Sequence, residues 1–175
     1  MARNVYRKVI ALIRDAARLA RAAGIPNLLQ PGLVKEMIVA DILGHELIAG
    51  KRDADARSPD DPSVVYEYLS CKEGGAGQLD RMFKAPAGKR KASMHRILRN
   101  DKIYLAVFYK EDQTRVKIIY ELAPGAAAKE ARRQLKRSIN DISHISFSET
   151  WARQNGTVVH EHRNPRNPRN PRAST

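Results

Sequence analysis

The sequence predicts an α/β fold, in which helices flank a β-sheet, and three stretches of the 175-residue chain carry this prediction. Residues 3–22 place apolar side chains on one half of a helical wheel and arginines and lysines on the other half. Residues 102–109 and 115–122 are almost continuous apolar runs on either side of a polar turn at 111–114. Such runs are typical of strands that are covered on both faces of a sheet.

The composition indicates a globular protein with a polyanionic partner. Hydrophobic residues make up 42% and charged residues 29% of the chain, so disorder of the whole chain is not expected. The net charge of +13 favours nucleic acid or an acidic membrane surface. The single cysteine, Cys71, excludes an intrachain disulfide and a Cys-rich zinc module. Because no apolar run approaches the roughly 20 residues of a membrane span, we expect a soluble, cytoplasmic protein.

We expect one domain over residues 1–160, followed by a basic tail over 161–175. The tail contains three Asn-Pro-Arg repeats, which cannot build a core and are expected to be disordered. The basic face of the first helix has two interpretations. It can bind phosphates or a membrane, or it can be a solvated face of a helix that packs on the core or on a second subunit.

A second helix is predicted over residues 33–47, where apolar side chains occupy nearly every face of the helix. A carboxylate on such a buried helix needs a cation or a strong hydrogen-bond partner. Glu36 is therefore a candidate outer ligand or water-holding group at a metal site. A salt bridge from Glu36 to Lys35 or Lys51 is an equally good interpretation.

An acidic loop and a strand follow this helix. Within the loop Asp53 and Asp55 stand between an apolar helix and a strand, whereas the acids at 60–61 lie between prolines and are interpreted as a solvated turn. The strand, residues 64–71, is rich in β-branched and aromatic residues. Alternation puts Glu67 on the face that Val65, Leu69 and Cys71 share, and puts Tyr66, Tyr68, Ser70 and the following Lys72 on the other face. Glu67 is the only charge within the strand.

An acidic helix residue, then Ala54-Asp55-Ala56, then a strand with an acid and a lysine, resembles the PD-(D/E)XK nuclease superfamily. The size and layout resemble a small type II restriction endonuclease, which implies a mixed sheet flanked by helices. By this resemblance Asp55 is the first acid of the motif, Glu67 the second and Lys72 the lysine, and Glu36 matches an acid on the first core helix. The implied cofactor is Mg²⁺, held by Asp55 and Glu67, and Asp53 can substitute for Asp55.

The sequence departs from the family pattern at the lysine. The family leaves one residue between the second acid and the lysine, and here that lysine position holds Leu69. Lys72 comes three residues later on the opposite strand face, so a β-bulge would have to bring it round. Alternatively, Ser70 and Lys72 resemble a Ser-x-Lys variant in which Glu36 or Glu73 replaces Glu67.

Basic residues dominate the region after this strand. Residues 78–83 are expected to form a short amphipathic turn, and residues 84–102 a flexible loop with a short helix over 93–99. A further helix is predicted over 126–139. The candidate DNA-binding residues come from these two basic regions: Lys89, Arg90, Lys91, Arg96, Arg99, Arg132, Arg133 and Lys136.

From the resemblance we expect a Mg²⁺-dependent endonuclease that hydrolyses phosphodiester bonds at specific double-stranded DNA sites. A homodimer is expected because one site per subunit cuts one strand and a two-fold pair matches a palindrome. A cognate DNA methyltransferase would be a partner in the same restriction system. The alternatives are a basic DNA-binding protein without catalysis, and a repair or structure-specific nuclease of the same fold.

Overall fold

The computed structural model describes residues 2–48 and 54–162, with side chains described from Val5 onward. These residues form five helices and eight strands. In chain order they are α1 (Ala2–Ala22), α2 (Leu33–Leu43), β1 (Glu46–Leu47), β2 (Ala56–Arg57), β3 (Val65–Lys72), β4 (Ala76–Phe83), α3 (Ala87–Leu98), β5 (Lys102–Phe108), β6 (Val116–Leu122), α4 (Pro124–Arg137), β7 (Ile142–Ser148), α5 (Glu149–Asn155) and β8 (Gly156–Glu161).

The main sheet has six strands in the order β1-β2-β3-β5-β6-β8. Strands β3 and β5 are parallel and the other neighbours are antiparallel. The predicted mixed sheet flanked by helices is therefore confirmed, as is the predicted antiparallel pairing of β5 with β6. Strands β4 and β7 form a separate two-stranded sheet.

Two apolar layers cover the main sheet. One layer packs α3, α4 and the β4–β7 sheet against a face that includes Leu69 and Leu105. The other layer packs α2 against a face that includes Tyr68 and Phe108. Strand β5 contributes to both layers, so all of its residues after Lys102 are buried and its sequence is continuously apolar. The alternation predicted for β3 is confirmed, because Leu69 and Tyr68 belong to opposite layers.

Several predicted boundaries are wrong. Helix α2 ends at Leu43 and not at 47, because Gly44 takes the left-handed conformation with φ 68° and its N–H bonds the carbonyls of Ala40 and Asp41. The chain then enters the sheet at β1. Residues 78–83 are not a turn but most of β4, and the predicted loop at the start of the basic region is helical from Ala87 onward. The sequence also predicts a turn at Asn155–Gly156, but strand β8 follows α5 directly.

Three predicted features lie outside the described residues: the Asn-Pro-Arg repeats at 164–172, the acid Asp53, and Lys51 as a possible salt-bridge partner of Glu36. Across the described ranges, no helix has both the length and the apolar character needed to cross a membrane.

Candidate functional site

The structure brings Asp55 and Glu67 together on neighbouring strands. Glu67 lies in β3, and Asp55 immediately precedes β2, the antiparallel neighbour of β3. The backbone N–H of Asp55 donates to the carbonyl of Tyr66 at 3.0 Å. Its Oδ2 accepts the backbone N–H of Tyr68 at 2.7 Å. Asp55 is thus bonded to the residues on both sides of Glu67, so the two carboxylates cannot drift apart without breaking strand contacts.

Both carboxylates are half-buried, and burial raises both pKa values. Burial is the main cause of the raised pKa of Asp55, and the Tyr68 N–H, Arg96 and Arg99 act against it. Burial and the neighbouring charge of Asp55 raise the pKa of Glu67 to about 7. Arg96 and Arg99 lower the pKa of Glu67, whereas Glu36 raises it further. Even with the two arginines, Glu67 therefore keeps its proton up to near neutral pH, and a bound cation would favour ionisation of both carboxyl groups.

Two arginines, Arg96 near the end of α3 and Arg99 at its C-cap, supply positive charge to the site. Arg96 and Arg99 each act on the pKa values of both Asp55 and Glu67. The Nη1 of Arg96 donates to the carbonyl of Asp80 on β4 at 3.0 Å, which ties the side chain to the small sheet. Its Nε is buried and has no hydrogen-bond acceptor among the described residues. The sequence indicated these arginines as DNA-binding residues, and their position beside the carboxylates was missed.

Glu36 lies near this pair. It is half-buried in the first turn of α2, and its Oε1 would come within 2.8 Å of a Cβ added to Gly32. Gly32 has φ 89°, which favours glycine, so the helix start leaves room for the carboxylate. Its charge reaches the site, because it contributes to the raised pKa of Glu67. Glu36 as the third acid of the set therefore stays a prediction.

The structure does not bring Lys72 to the carboxylates. The pairing of β3 with β5 is continuous from Tyr66 to Lys72, so the bulge that the predicted role of Lys72 required is absent. Lys72 stays on the opposite face of β3, about 16 Å along the strand from Glu67. The family's usual lysine position, Leu69, is 3% exposed in the core.

Glu73, the alternative second acid, also lies away from Asp55. It accepts the backbone N–H of Lys110 at 3.1 Å and forms an ion pair with Lys117 at 2.9 Å. These contacts hold the pKa of Glu73 below its ordinary value. A carboxylate that is already neutralised in this way has no need of a metal ion, so Glu67 remains the better second acid.

An aromatic cluster braces the other face of β3. His45 stacks on Tyr66 with ring centroids 4.2 Å apart, and its Nδ1 hydrogen-bonds the hydroxyl of Tyr68 at 2.8 Å. Tyr104 of β5 packs edge-on against both tyrosines. Burial lowers the pKa of His45, which favours the neutral ring in this cluster. The cluster fixes the backbone of β3 at Tyr68, where the N–H holds Asp55.

The donor set suits magnesium. Within residues 2–48 and 54–162, no group of three His, Cys, Asp or Glu side chains forms a ready metal cage. Mg²⁺ does not need one, since it commonly binds through one or two carboxylates and keeps several waters. Asp55 and Glu67 raise each other's affinity for a cation through their mutual repulsion, so they fit this ion.

A basic groove lies between α3 and α4. Its volume is about 760 Å³, and its floor is apolar, formed by Met94 and Leu135. Lys84 lines the groove together with four residues of the predicted DNA-binding set: Arg90, Lys91, Arg132 and Lys136. Because the cations come from two helices and face one space, the groove concentrates positive charge where a phosphate backbone can lie.

Two other predicted DNA-binding residues have partners outside the groove. Lys89 lies over the ring of Phe83, 5.1 Å from the centroid. Arg133 is paired with Glu130, its Nε donating to Oε2 at 2.7 Å. That pair lowers the pKa of Glu130, and the Glu130 carboxylate offsets part of the charge that Arg133 presents to a phosphate.

The chain matches no protein-family model, and a search of curated proteins finds no significant match. The functional assignment therefore depends on the residues and their geometry.

The raised pKa of Glu67 predicts a pH-dependent stability. In metal-free buffer the folded protein keeps the proton up to about pH 7, whereas the unfolded chain releases it near 4.5. The stabilisation is complete below pH 4.5 and is lost as the pH rises through 7, by up to about 3 kcal/mol. Glu67→Gln removes this loss. Urea unfolding from pH 4.5 to 8 should show the variant gaining stability over the wild type as the pH rises.

Glu73→Gln is the matched control, because its pKa is shifted in the opposite direction. The stabilisation by Glu73 is lost only as the pH falls below 4.5, so this variant should differ from the wild type by a nearly constant amount from pH 4.5 to 8. Added Mg²⁺ should stabilise the wild type at pH 8 and leave Glu67→Gln unchanged. A difference between Glu67→Gln and the wild type that stays constant with pH contradicts the buried, repelling pair.

Proposed function

We propose that this protein is a Mg²⁺-dependent endonuclease that cuts double-stranded DNA at specific sites, of the PD-(D/E)XK type and similar to type II restriction enzymes. The observation that carries the proposal is the Asp55–Glu67 pair: burial raises the pKa of both carboxyl groups, and Asp55 raises that of Glu67 further, beside Arg96 and Arg99. A structural ion pair would neutralise its carboxylates, as Lys117 does for Glu73. Asp55 and Glu67 instead have raised pKa values, so a bound cation would stabilise their ionised forms, as at a metal site.

The basic groove supports DNA as the substrate. Helix α3 contributes Arg90 and Lys91 to the groove and reaches the carboxylates with Arg96 near its other end. Arg90 and Lys91 lie on the opposite face of α3 from Arg96, so DNA bound in the groove must pass round the helix to reach the acids. The net charge of +13 adds long-range attraction for a polyanion.

Each group has a defined task in phosphodiester hydrolysis. Asp55 and Glu67 would hold Mg²⁺, with Glu36 positioned to orient water. The ion supplies positive charge for the phosphate and a water that is more readily deprotonated near neutral pH. Arg96 and Arg99 add positive charge at the phosphate, where negative charge grows in the transition state. In this proposal they take the electrostatic task that the family assigns to a lysine.

Cleavage of supercoiled plasmid tests the proposal. The wild type should cut with Mg²⁺ and not with EDTA, and discrete fragments would favour a restriction enzyme over a repair nuclease. Asp55→Asn should lower the cleavage rate at least about 10³-fold, because it removes a metal ligand, while DNA still shifts in a gel. A wild type that shifts DNA but cuts in no divalent ion would establish the rival function, a non-catalytic DNA-binding protein.

A second prediction compares Arg96 with Lys72. Arg96→Met should slow cleavage by about 100-fold or more, because positive charge at the phosphate is lost. Because Arg96 lowers the pKa of Glu67, the variant's pH–rate profile should also move to higher pH. Lys72→Met, on the other strand face, should retain activity within about threefold. Equal losses in the two variants, with unchanged circular dichroism, would restore Lys72 to the site.

A third prediction concerns the salt dependence of DNA binding. Arg132→Ala/Lys136→Ala removes two groove cations, so the slope of log K against log salt should become shallower by about 2. Arg7→Ala/Arg14→Ala removes the same charge from α1 and should leave the slope nearly unchanged. Fluorescence anisotropy with a short duplex from low to high salt measures both slopes. A groove variant whose slope equals that of the wild type excludes the groove as the phosphate-binding surface.

A further inference from the structure

Helix α1 carries an apolar face that the rest of the chain leaves uncovered. Of its described side chains, only Ala20 is buried and only Ala17 is half-buried. Large apolar side chains are between 41% and 69% exposed along its length. They are Val5, Tyr6, Val9, Ile10, Leu12, Ile13 and Leu19. A continuous exposed face of this kind marks an interaction surface in most proteins.

The spacing on this face is that of a coiled coil. Val5, Val9, Leu12, Ala16 and Leu19 follow one another at intervals of four, three, four and three residues. This is the a/d repeat, with Val5, Leu12 and Leu19 at d and Val9 and Ala16 at a. The seam runs nearly the whole 21-residue helix, a length of about 31 Å.

The charges beside the seam select the partner and its direction. Asp15 is the only acid in α1, and it and Lys8 occupy g positions. In an antiparallel pair of identical helices g faces g, so Lys8 of each copy meets Asp15 of the other. In a parallel pair g faces e, and the e positions hold the uncharged Tyr6, Ile13 and Ala20. The Asp15–Arg18 bond of the single chain is exposed and easily exchanged.

The register that joins Lys8 to Asp15 also packs the seam. It sets Val9 against Leu12 of the second copy and Val5 against Ala16, a large side chain opposite a small one. If each of the six exposed apolar side chains at a, d and e positions gives up roughly 90 Å², two copies bury about 1,100 Å², just above the roughly 1,000 Å² that a specific interface needs. A membrane surface is the other candidate for such a face, but lipid imposes no four-three spacing and no acid beside the seam.

We propose that α1 is a self-association helix, and that two copies of this chain pair antiparallel along the seam of Val5, Val9, Leu12, Ala16 and Leu19. The pairing leaves Arg7, Arg14 and Arg21 on the outer side of each helix. It goes beyond the proposed nuclease function and requires neither DNA nor metal. The two are therefore tested separately.

Sedimentation equilibrium of the full chain, without DNA or divalent ions, tests the pairing. The wild type should have twice the monomer mass. Leu12→Glu should weaken the dimer at least about 100-fold, because it puts two carboxylates into the seam. Arg14→Glu, on the outer face, should leave the dimer unchanged. A monomeric wild type, or a Leu12→Glu variant as dimeric as the wild type, overturns the proposal.

Charge exchange tests the direction. Lys8→Glu should weaken association by roughly tenfold, because the introduced carboxylate then faces Asp15 of the other copy. Adding Asp15→Lys to it should restore wild-type affinity. A double variant as weak as Lys8→Glu overturns the antiparallel register.

The membrane alternative predicts a different result. The wild-type chain would stay monomeric and co-sediment with phosphatidylserine vesicles, and Leu12→Glu would not co-sediment. That outcome would establish a membrane surface as the occupant. Since α1 is exposed, circular dichroism should be unchanged in all variants.

Discussion

Two carboxylates fixed on adjacent strands repel each other, and the strand contacts prevent them from separating. Asp55 is bonded through its backbone to Tyr66 and through its side chain to Tyr68, so it cannot swing into solvent. Glu67 lies within β3, so its backbone is held by the strand as firmly as that of Asp55. The cost of holding both charges at neutral pH must be met by cations close by. The position of α3 follows from this constraint, because the helix brings Arg96 and Arg99 to the pair.

The small sheet makes that position of α3 possible. Strand β4 packs closely on β3, since a Cβ at Gly77 would lie 2.8 Å from Leu69 Cβ. The carbonyl of Asp80 in β4 then accepts the hydrogen bond that fixes Arg96. This hydrogen bond to β4 thus determines where the Arg96 guanidinium lies. The sheet is small, but the electrostatics of the site depend on it.

Local patterns were sufficient for the elements whose periodicity is unbroken. Helix α1 and strands β5 and β6 were predicted almost to the residue, because their apolar residues follow one period throughout. Strand β4 was missed because its ladder to β7 shifts register between Leu79 and Met82, where Arg81 has φ 53°, so alternation along the sequence is interrupted. Strand β8 was missed because it is an edge strand whose side chains are mostly exposed, which leaves no alternation to detect.

The candidate site was predictable to the extent that it depends on one strand and its neighbour. Asp55 and Glu67 could be chosen from the acidic loop and the lone charge in β3. The role of Lys72 could not be decided, because a bulge is a property of the pairing with β5 and leaves no mark in the β3 sequence. Arg96 and Arg99 did leave a signal, since their i, i+3 spacing puts both on one face of the predicted helix over 93–99, but the sequence does not indicate that this face packs toward the carboxylates.

Helix α3 also fixes how the groove and the carboxylates are arranged. Arg90, Lys91 and Met94 line the groove from one face of the helix, whereas Arg96 lies on the opposite face. From Arg90 to Arg99 the helix advances about 14 Å, and successive base pairs along B-DNA lie about 3.4 Å apart. Under the proposed function, DNA would therefore have to contact both faces of α3, and the offset along the helix would correspond to about four base pairs. The groove and the acids are thus two separate surfaces held at a fixed distance by one helix.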